Sequence, residues 1–227
     1  VGSRENRETQ YHVKTVDQSK PKIVMVFFNG RGQPANHDRT IPKTLAELFG
    51  NRIIVQSLTH HRASKKAARL FIRRYHKPGD GLIVGGFSLG AEATREFLKK
   101  GGGDARIDRT AHLAILVDKV GARKPSPERS EYWLHYHQMG LGLDGGGSGL
   151  QGDKGANVNC ENLFGVQLKH WKNAINDHGA EIDDYVPLVY LMARNIAAVT
   201  GVVPSNIQGL PSPKEVSNYI PSPLILK

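Results

Sequence analysis

Four short, largely apolar runs, separated by segments with helical periodicity, constrain the fold of this chain more than any other feature. The runs occupy residues 23–28, 52–56, 82–86 and 113–117. Helical spacing of apolar residues marks segments 40–48, 62–75, 91–100 and 181–200. Strands that are apolar on both faces must be covered on both faces, which is typical of parallel sheets flanked by helices. The pattern therefore predicts an α/β fold with a mainly parallel central sheet and helices on both faces.

The length of 227 residues suits one domain, and we expect a single compact unit over residues 21–203. Residues 1–20 are polar and predict a loose arm with an edge strand near 11–16, and the proline-rich residues 204–227 predict an extended tail. The long stretch 119–179 is rich in Gly, Asn and His and lacks a strong period. A connection this long indicates a lid or pocket wall with short helices of its own.

The net charge of +10 favours contact with acidic surfaces. Much of the excess lies on segment 62–73, where five basic residues at helical spacing share one face: Arg62, Lys65, Lys66, Arg69 and Arg73. Two interpretations stay open for this Arg62–Arg73 face, an ordinary solvated helix surface or docking on an anionic surface. No aromatic residues alternate with the basic ones, so we predict no specific nucleic-acid partner.

The cellular location and the oligomeric state stay open. Cys160 is the single cysteine, so no intrachain disulfide can form and one sign of a secreted protein is missing. The first residue is Val1, and we expect a mature, trimmed or engineered form from which a signal peptide could have been removed. No apolar run approaches the roughly 20 residues that a membrane-spanning helix needs.

Ser88 is the candidate nucleophile. It directly follows an apolar run and directly precedes a helical segment, within the sequence Gly-Phe-Ser-Leu-Gly at 86–90. In a sharp strand-to-helix turn, glycines two residues to either side remove collisions around a backbone that is strained at the serine. The hydroxyl then stands clear of the sheet, at the positive end of the following helix.

A serine nucleophile needs a base, and the base needs a carboxylate that orients it. For a serine on such a turn, the order along the chain is serine, acid, histidine. Asp118 follows the run 113–117 and is the candidate acid. Four histidines come later, and His178, just ahead of the last helix, is the favoured base; the others are His135, His137 and His170.

Backbone N–H groups must also stabilise the oxyanion of an acyl-transfer reaction. Leu89, the residue after the nucleophile, supplies one donor. The glycine-containing turn after run 23–28 is the natural source of the second, from Gly30 or Arg31. A plain turn between a strand and a helix remains the alternative for these residues.

Residues 119–179 carry many apolar and aromatic side chains, and we predict that they form one wall of an acyl pocket. Tyr136 and Met139 are the candidate substrate contacts. The alternative is that these side chains complete the core. His135 and His137, on either side of Tyr136, are then expected to line or cover the same pocket.

Three motifs resemble the small bacterial α/β-hydrolases of the lipase and esterase kind. They are residues 86–91, the strand ending at Asp118, and the segment Asp-His-Gly-Ala-Glu-Ile-Asp-Asp at 177–184. His-Tyr-His-Gln at 135–138 and Gly-Ala-Asn at 155–157 resemble the loop between acid and base in those proteins. The resemblance covers residues 22–200 and implies a single-domain α/β-hydrolase-like sandwich with a long insertion between the acid and the histidine. Lys119 stands where that family often carries proline.

The leading hypothesis is therefore a serine hydrolase that cleaves small-molecule or lipid carboxylic esters through an acyl-enzyme. A thioesterase or amidase would use the same triad. A non-catalytic α/β-hydrolase-like protein that binds anionic surfaces would have no reactive serine. The chain has no zinc-type Cys/His spacing, no phosphate-binding Gly-x-x-x-x-Gly-Lys and no dinucleotide fingerprint, so no metal or other cofactor is predicted.

Overall fold

A computed structural model describes residues 8–30, 41–119, 126–137, 154–166, 168–169, 180–182 and 185–205. Its strands are β1 (Glu8–Tyr11), β2 (Ile23–Asn29), β3 (Ile53–Thr59), β4 (Gly81–Phe87), β5 (Ala111–Val117), β6 (Ser130–His137), β7 (Gly155–Asn159), β8 (Leu168–Lys169) and β9 (Ala180–Glu181). Its helices are α1 (Ile41–Phe49), α2 (Arg62–Tyr75), α3 (Leu89–Phe97), α4 (Cys160–Phe164) and α5 (Val186–Thr200), with one 3-10 turn at Gly50–Arg52.

The first seven strands form one sheet in the order β1-β3-β2-β4-β5-β6-β7. All neighbours from β3 to β7 pair in parallel, and the edge strand β1 is antiparallel to β3. The chain winds outwards in one direction from β2 and in the other from β4. In open α/β sheets, ligands bind outside the carboxyl ends of the strands at such a reversal. The predicted α/β class with a mainly parallel sheet is confirmed.

Helices cover both faces of the sheet because the strands bury side chains on both. Along β2, residues Ile23, Met25 and Phe27 face one core, which α1 and α5 complete. Val24, Val26 and Phe28 face a second core, which α2 and α3 complete. Alternate residues of a strand point to opposite faces, so a strand with two apolar faces is buried on both sides.

The stretch 119–179 differs from its prediction. Two of its parts are strands of the central sheet, β6 and β7, and they extend it beyond β5. The expectation of a lid is therefore wrong for residues 130–137 and 155–159, because their backbone groups complete the parallel ladder. Residues 138–153 and 170–179 lie outside the described residues, and for them the lid stays a prediction.

A buried ion pair closes the end of the sheet where β2 and β4 begin. The Lys22 ammonium lies 2.6 Å from Asp80 Oδ2, and the two residues are 2% and 6% exposed. The backbone N–H groups of Lys22 and Lys77 also donate to the Asp80 carboxylate, at 3.2 and 3.0 Å. Burial alone would raise the pKa of Asp80, but these hydrogen bonds outweigh it and leave that pKa below its ordinary value.

Among the helices in the described ranges, none combines the length and the apolar character needed to cross a bilayer.

Candidate active site

Ser88 lies on the turn that joins β4 to α3. Its backbone has φ 55° and ψ −120°, a conformation that residues other than glycine rarely adopt. Its N–H still donates to the Val117 carbonyl of β5 at 2.9 Å, so the sheet ladder continues one residue beyond the strand. The residue is 5% exposed and immediately precedes the first turn of α3.

The glycines around Ser88 are needed for close backbone contacts. A Cβ at Gly86 would collide with the Gly90 carbonyl, and a Cβ at Gly90 would collide with the Phe28 carbonyl of β2. Both collisions involve backbone atoms, which cannot move aside as a flexible side chain could. The two glycines therefore let α3 start directly against the ends of β4 and β2, as the sequence pattern predicts.

Asp118 lies beside Ser88 at the end of the neighbouring strand. Phe87 of β4 pairs with Val117 of β5, so Ser88 and Asp118 leave the sheet at the same level. Parallel neighbours lie about 4.8 Å apart. The Asp118 N–H donates to the Tyr136 carbonyl of β6 at 2.7 Å, its φ is 45°, and the residue is fully buried.

The turn after β2 lies on the other side of Ser88. Phe28 pairs with Gly86, so Gly30 follows its strand at the same edge as Ser88. Asn29 is held by a hydrogen bond from its amide to Ser57 Oγ at 2.9 Å. Burial, and next the adjacent His61, lower the pKa of His60, and the nearby backbone of Gly30 and Asn29 offsets part of that shift.

The structure thus brings several sequence-predicted site residues to one edge of the sheet. Ser88 stands between Asp118 and the turn at Gly30, and Leu89 begins the helix that touches that turn. His178, Arg31 and Met139 lie outside the described residues, as does the alternative base His170. Their assignments stay predictions.

His135 lies in strand β6 and does not line or cover a pocket. It is 1% exposed, its Nε2 accepts the Lys119 N–H at 3.1 Å, and its Nδ1 lies 2.9 Å from the side-chain Oδ1 of Asn157. Burial lowers the pKa of His135 to about 4. With both ring nitrogens occupied, His135 cannot serve as the base.

Tyr136 is also corrected. The residue is fully buried in the core beside α5, and its hydroxyl accepts a hydrogen bond from the Asn195 amide at 2.7 Å. Burial raises the pKa of Tyr136 above its ordinary value. The predicted substrate contact is wrong because β6 turns this side chain into the core, so the alternative of core completion holds for it.

A polar network near Asp118 was not predicted from the sequence. Its members are His135, Asn157, Lys119 and Glu92. The β-prone aromatic residues Tyr132, Trp133 and Tyr136 were the available signal, since they favour a strand there and so place His135 beside the end of β5.

Cys160 is fully buried at the start of α4, close to the same network. Burial, and next the negative charge of Asp118, raise the pKa of the Cys160 thiol. The thiol stays protonated at neutral pH and is a poor nucleophile.

The Arg62–Arg73 face is largely paired within the fold. Lys65 contacts Glu96, Lys66 contacts Asp104, and both Arg69 and Arg73 contact Asp108. These acidic partners neutralise much of the charge that a docking surface would use. Docking of this face on an anionic surface stays a prediction.

Within the described ranges, no group of three or more His, Cys, Asp or Glu residues could hold a metal ion.

Comparison with known proteins gives similarity of structure alone. The chain matches no protein-family model and no curated protein sequence. It is similar to esterase 2 of Thermogutta terrifontis phosphorylated by paraoxon, with a TM-score of 0.52, 12% identity, and coverage of 87% of this chain and 90% of that one. The same esterase phosphonylated by sarin gives a TM-score of 0.52, 11% identity, and coverage of 87% and 91%. Acyl-protein thioesterase 2 of Zea mays gives 0.46, 15% identity, and coverage of 74% and 93%. The fold is that of the α/β-hydrolases.

Proposed function

We propose that this chain is a serine hydrolase that cleaves carboxylic esters through an acyl-enzyme. One observation carries the proposal: Ser88 leaves the centre of the sheet with Asp118 on one side and the turn at Gly30 on the other. A nucleophile, an orienting carboxylate and backbone donors are the groups that acyl transfer needs within reach of one carbonyl.

In the proposed reaction, Ser88 Oγ attacks the acyl carbon while His178 accepts the hydroxyl proton. Asp118 orients the imidazole and stabilises its positive charge. The oxyanion accepts hydrogen bonds from the Leu89 N–H and from the turn at Gly30 and Arg31. Collapse of the tetrahedral species breaks the bond to the alcohol, which leaves with the proton from His178.

Water completes the cycle. His178 removes one of its protons as its oxygen attacks the acyl carbon, and the second tetrahedral species expels Ser88 Oγ, which recovers the proton. The products are the carboxylic acid and the free enzyme. The positive N-terminal end of α3, which starts at Leu89, favours the negative charge that develops in both halves.

The structural neighbours support this class of chemistry. Two similar structures are of an esterase phosphorylated by paraoxon or phosphonylated by sarin. A thioesterase or amidase would use the same residues on another acyl bond. A panel of p-nitrophenyl esters of increasing acyl length, beside matched thioesters and anilides, separates these activities.

Reaction with a fluorophosphonate probe tests the nucleophile. We expect one probe per chain, attached to Ser88, and no labelling or ester cleavage in Ser88→Ala, whose melting temperature should stay within a few degrees of the wild type. Ser130→Ala is a matched control, because Ser130 is buried at the start of β6, at the end of the sheet away from the turn. Labelling that persists in Ser88→Ala would show that the nucleophile is another residue.

Two further variants test the rest of the triad. His178→Ala and Asp118→Asn should each lower kcat by roughly 10³-fold or more. Activity of the wild type should rise with pH through a midpoint near the ordinary histidine pKa of about 6.5, since the base must be neutral. If Asp118→Asn keeps most activity, Asp177 or Asp183 supplies the acid instead.

A further inference from the structure

Asp118 is held by contacts made through the residue that follows it. A positive φ at a residue with a side chain costs on the order of 1–3 kcal/mol and persists only where the surroundings enforce it. Asp118 has φ 45°, and the next N–H, that of Lys119, donates to His135 Nε2 at 3.1 Å. His135 is fixed in turn by Asn157 of β7, 2.9 Å from Nδ1.

This pattern of hydrogen bonds defines the tautomer of His135. A neutral imidazole has one nitrogen that donates and one that accepts. Because Nε2 accepts from the backbone, the proton is on Nδ1, which donates to the side-chain Oδ1 of Asn157. The opposite tautomer would set two donors against each other at Lys119.

The side chain of Lys119 makes a second contact, towards the nucleophile. Its ammonium is 1% exposed and lies 3.9 Å from the Glu92 carboxylate on the first turn of α3. Glu92 also accepts two hydrogen bonds from Arg95, and its N–H donates to the Ser88 carbonyl at 3.3 Å. One residue therefore links the end of β5 to β6 through its backbone and to α3 through its charge.

We propose that Lys119 and His135 act together as positioning residues, which hold the Asp118 carboxylate at the distance from Ser88 that the triad requires. The inference rests on the proposed serine-hydrolase function. It assigns roles to two residues outside the triad and the oxyanion donors. Proline at position 119 would have no N–H for His135, so the histidine and the lysine work as a pair.

The charges around His135 keep its acceptor nitrogen available. Burial has the largest effect and lowers the pKa of His135. The hydrogen bond to Asn157 and the negative charge of Asp118 raise this pKa, whereas His137 and the positive charge of Lys119 lower it. The net result is a pKa of about 4. The ring is therefore neutral, and its Nε2 accepts, throughout the pH range in which a histidine base is active.

The kinetic test compares His135→Ala with the wild type on p-nitrophenyl butyrate, with active sites counted by fluorophosphonate titration. A carboxylate displaced by about 1 Å can cost up to about 100-fold in rate. We expect kcat per labelled site to fall 10- to 100-fold, in line with that misplacement cost, with KM within about twofold of the wild type. The midpoint of the acid limb of kcat/KM should move to lower pH, because a nearby carboxylate raises the pKa of a histidine base.

A matched control separates positioning from stability. His76 is half-buried and, like His135, is held at both ring nitrogens, by Arg109 at 2.8 Å and by the Asp80 carbonyl at 3.1 Å, but it lies at the opposite end of the sheet. His76→Ala should lower the melting temperature and leave kcat per labelled site and the pH midpoint unchanged. If His135→Ala behaves like His76→Ala, the positioning role is wrong.

A double-mutant cycle tests the pairing. Lys119→Pro removes the N–H that His135 accepts, whereas Lys119→Met keeps it and removes the charge. His135→Ala combined with Lys119→Pro should be no slower than Lys119→Pro alone, because both changes break one bond. Losses in kcat that add would show that the two residues act independently and would overturn the pair.

A measurement without substrate keeps the inference separate from the proposed function. In ¹⁵N NMR of the full chain, His135 should carry its proton on Nδ1, with no titration between pH 5 and 8. Protonation on Nε2, or titration near pH 6.5, would refute the arrangement even in an active enzyme. If no ester is cleaved and no serine is labelled while the tautomer is as stated, the proposed function has failed and the hydrogen-bond geometry stands.

Discussion

Gly90 is the second residue of α3, and its lack of a side chain allows that helix to begin against the end of β2. A Cβ here would collide with the carbonyl oxygen of Phe28 and come within 2.8 Å of the Asn29 oxygen. We expect Gly90→Ala to lower the free energy of unfolding by about 3 kcal/mol, at the upper end of the cost of overpacking. Urea denaturation of the variant and the wild type measures this change in the free energy of unfolding.

Gly102 provides the control for that substitution. Nothing lies within 4 Å of a Cβ built at Gly102, and its φ is not positive. Gly102→Ala should change the stability by less than about 0.5 kcal/mol, as is usual at the surface. If Gly90→Ala unfolds at the same urea concentration as Gly102→Ala, the start of α3 does not depend on the close approach.

His135 should make the stability of the protein depend on pH. Its pKa is about 4 in the fold, against about 6.5 in an unfolded chain. Between these values the unfolded state binds the extra proton, so the stability falls as the pH drops from 6.5 towards 4. The shift corresponds to about 3 kcal/mol.

Urea unfolding at pH 7 and pH 4.5 measures this effect. His135→Asn should reduce the difference in stability between the two pH values by about 2–3 kcal/mol, whereas His61→Asn, at an exposed position, should retain the full difference. An unchanged pH dependence in His135→Asn would mean that this ring is not held neutral by the fold.

At the scale of elements, the sequence predicted the strands that are apolar and missed the ones that are polar. β2, β4 and β5 are almost wholly apolar because both faces are covered, and the predicted runs match them closely. β7, Gly-Ala-Asn-Val-Asn, has a single fully buried residue, Val158. Its strand conformation comes from pairing with β6, which a local pattern does not reveal.

The residues of the candidate site also divide into those that local sequence patterns predict and those that they do not. The turn at Ser88 could be predicted because glycine spacing and an apolar strand are local signals, and Asp118 could be predicted because it ends the next apolar run. The contacts of His135 could not, because they join residues from three neighbouring strands that are far apart along the chain. A histidine between a leucine and a tyrosine is equally compatible with a pocket residue until the register of β6 is known.

The attachment of α5 to the sheet depends partly on one side-chain hydrogen bond. Asn195 is 3% exposed, and its amide donates to the Tyr136 hydroxyl at 2.7 Å. Tyr136→Phe leaves that buried donor without its acceptor, which should cost about 1–3 kcal/mol. The preference among acyl-chain lengths should not change. Tyr132→Phe, on the same strand but only half-buried, should cost less in the same urea titration.

At the scale of the whole molecule, the candidate chemistry and the buried ion pair lie at opposite ends of the sheet. Asp80→Asn would leave the Lys22 ammonium buried without its partner, which should cost about 3–5 kcal/mol. The kcat per labelled serine should stay that of the wild type. Asp17→Asn, which removes an exposed charge contact of 3.6 Å to Lys20, should lower the stability far less. A large loss of kcat in folded Asp80→Asn would show that the two ends are coupled.

The hydrogen bonds between the Ser88 and Asp118 amides and the sheet determine how the protein unfolds. The two N–H groups bond to carbonyls of β5 and β6 at 2.9 and 2.7 Å, so the reactive turn belongs to the same cooperative unit as the central strands. Such amides exchange with solvent deuterium only when the unit opens as a whole. On heating, the turn at Ser88 should then unfold together with the central sheet. No partly unfolded state should keep the core while the turn at Ser88 is disordered.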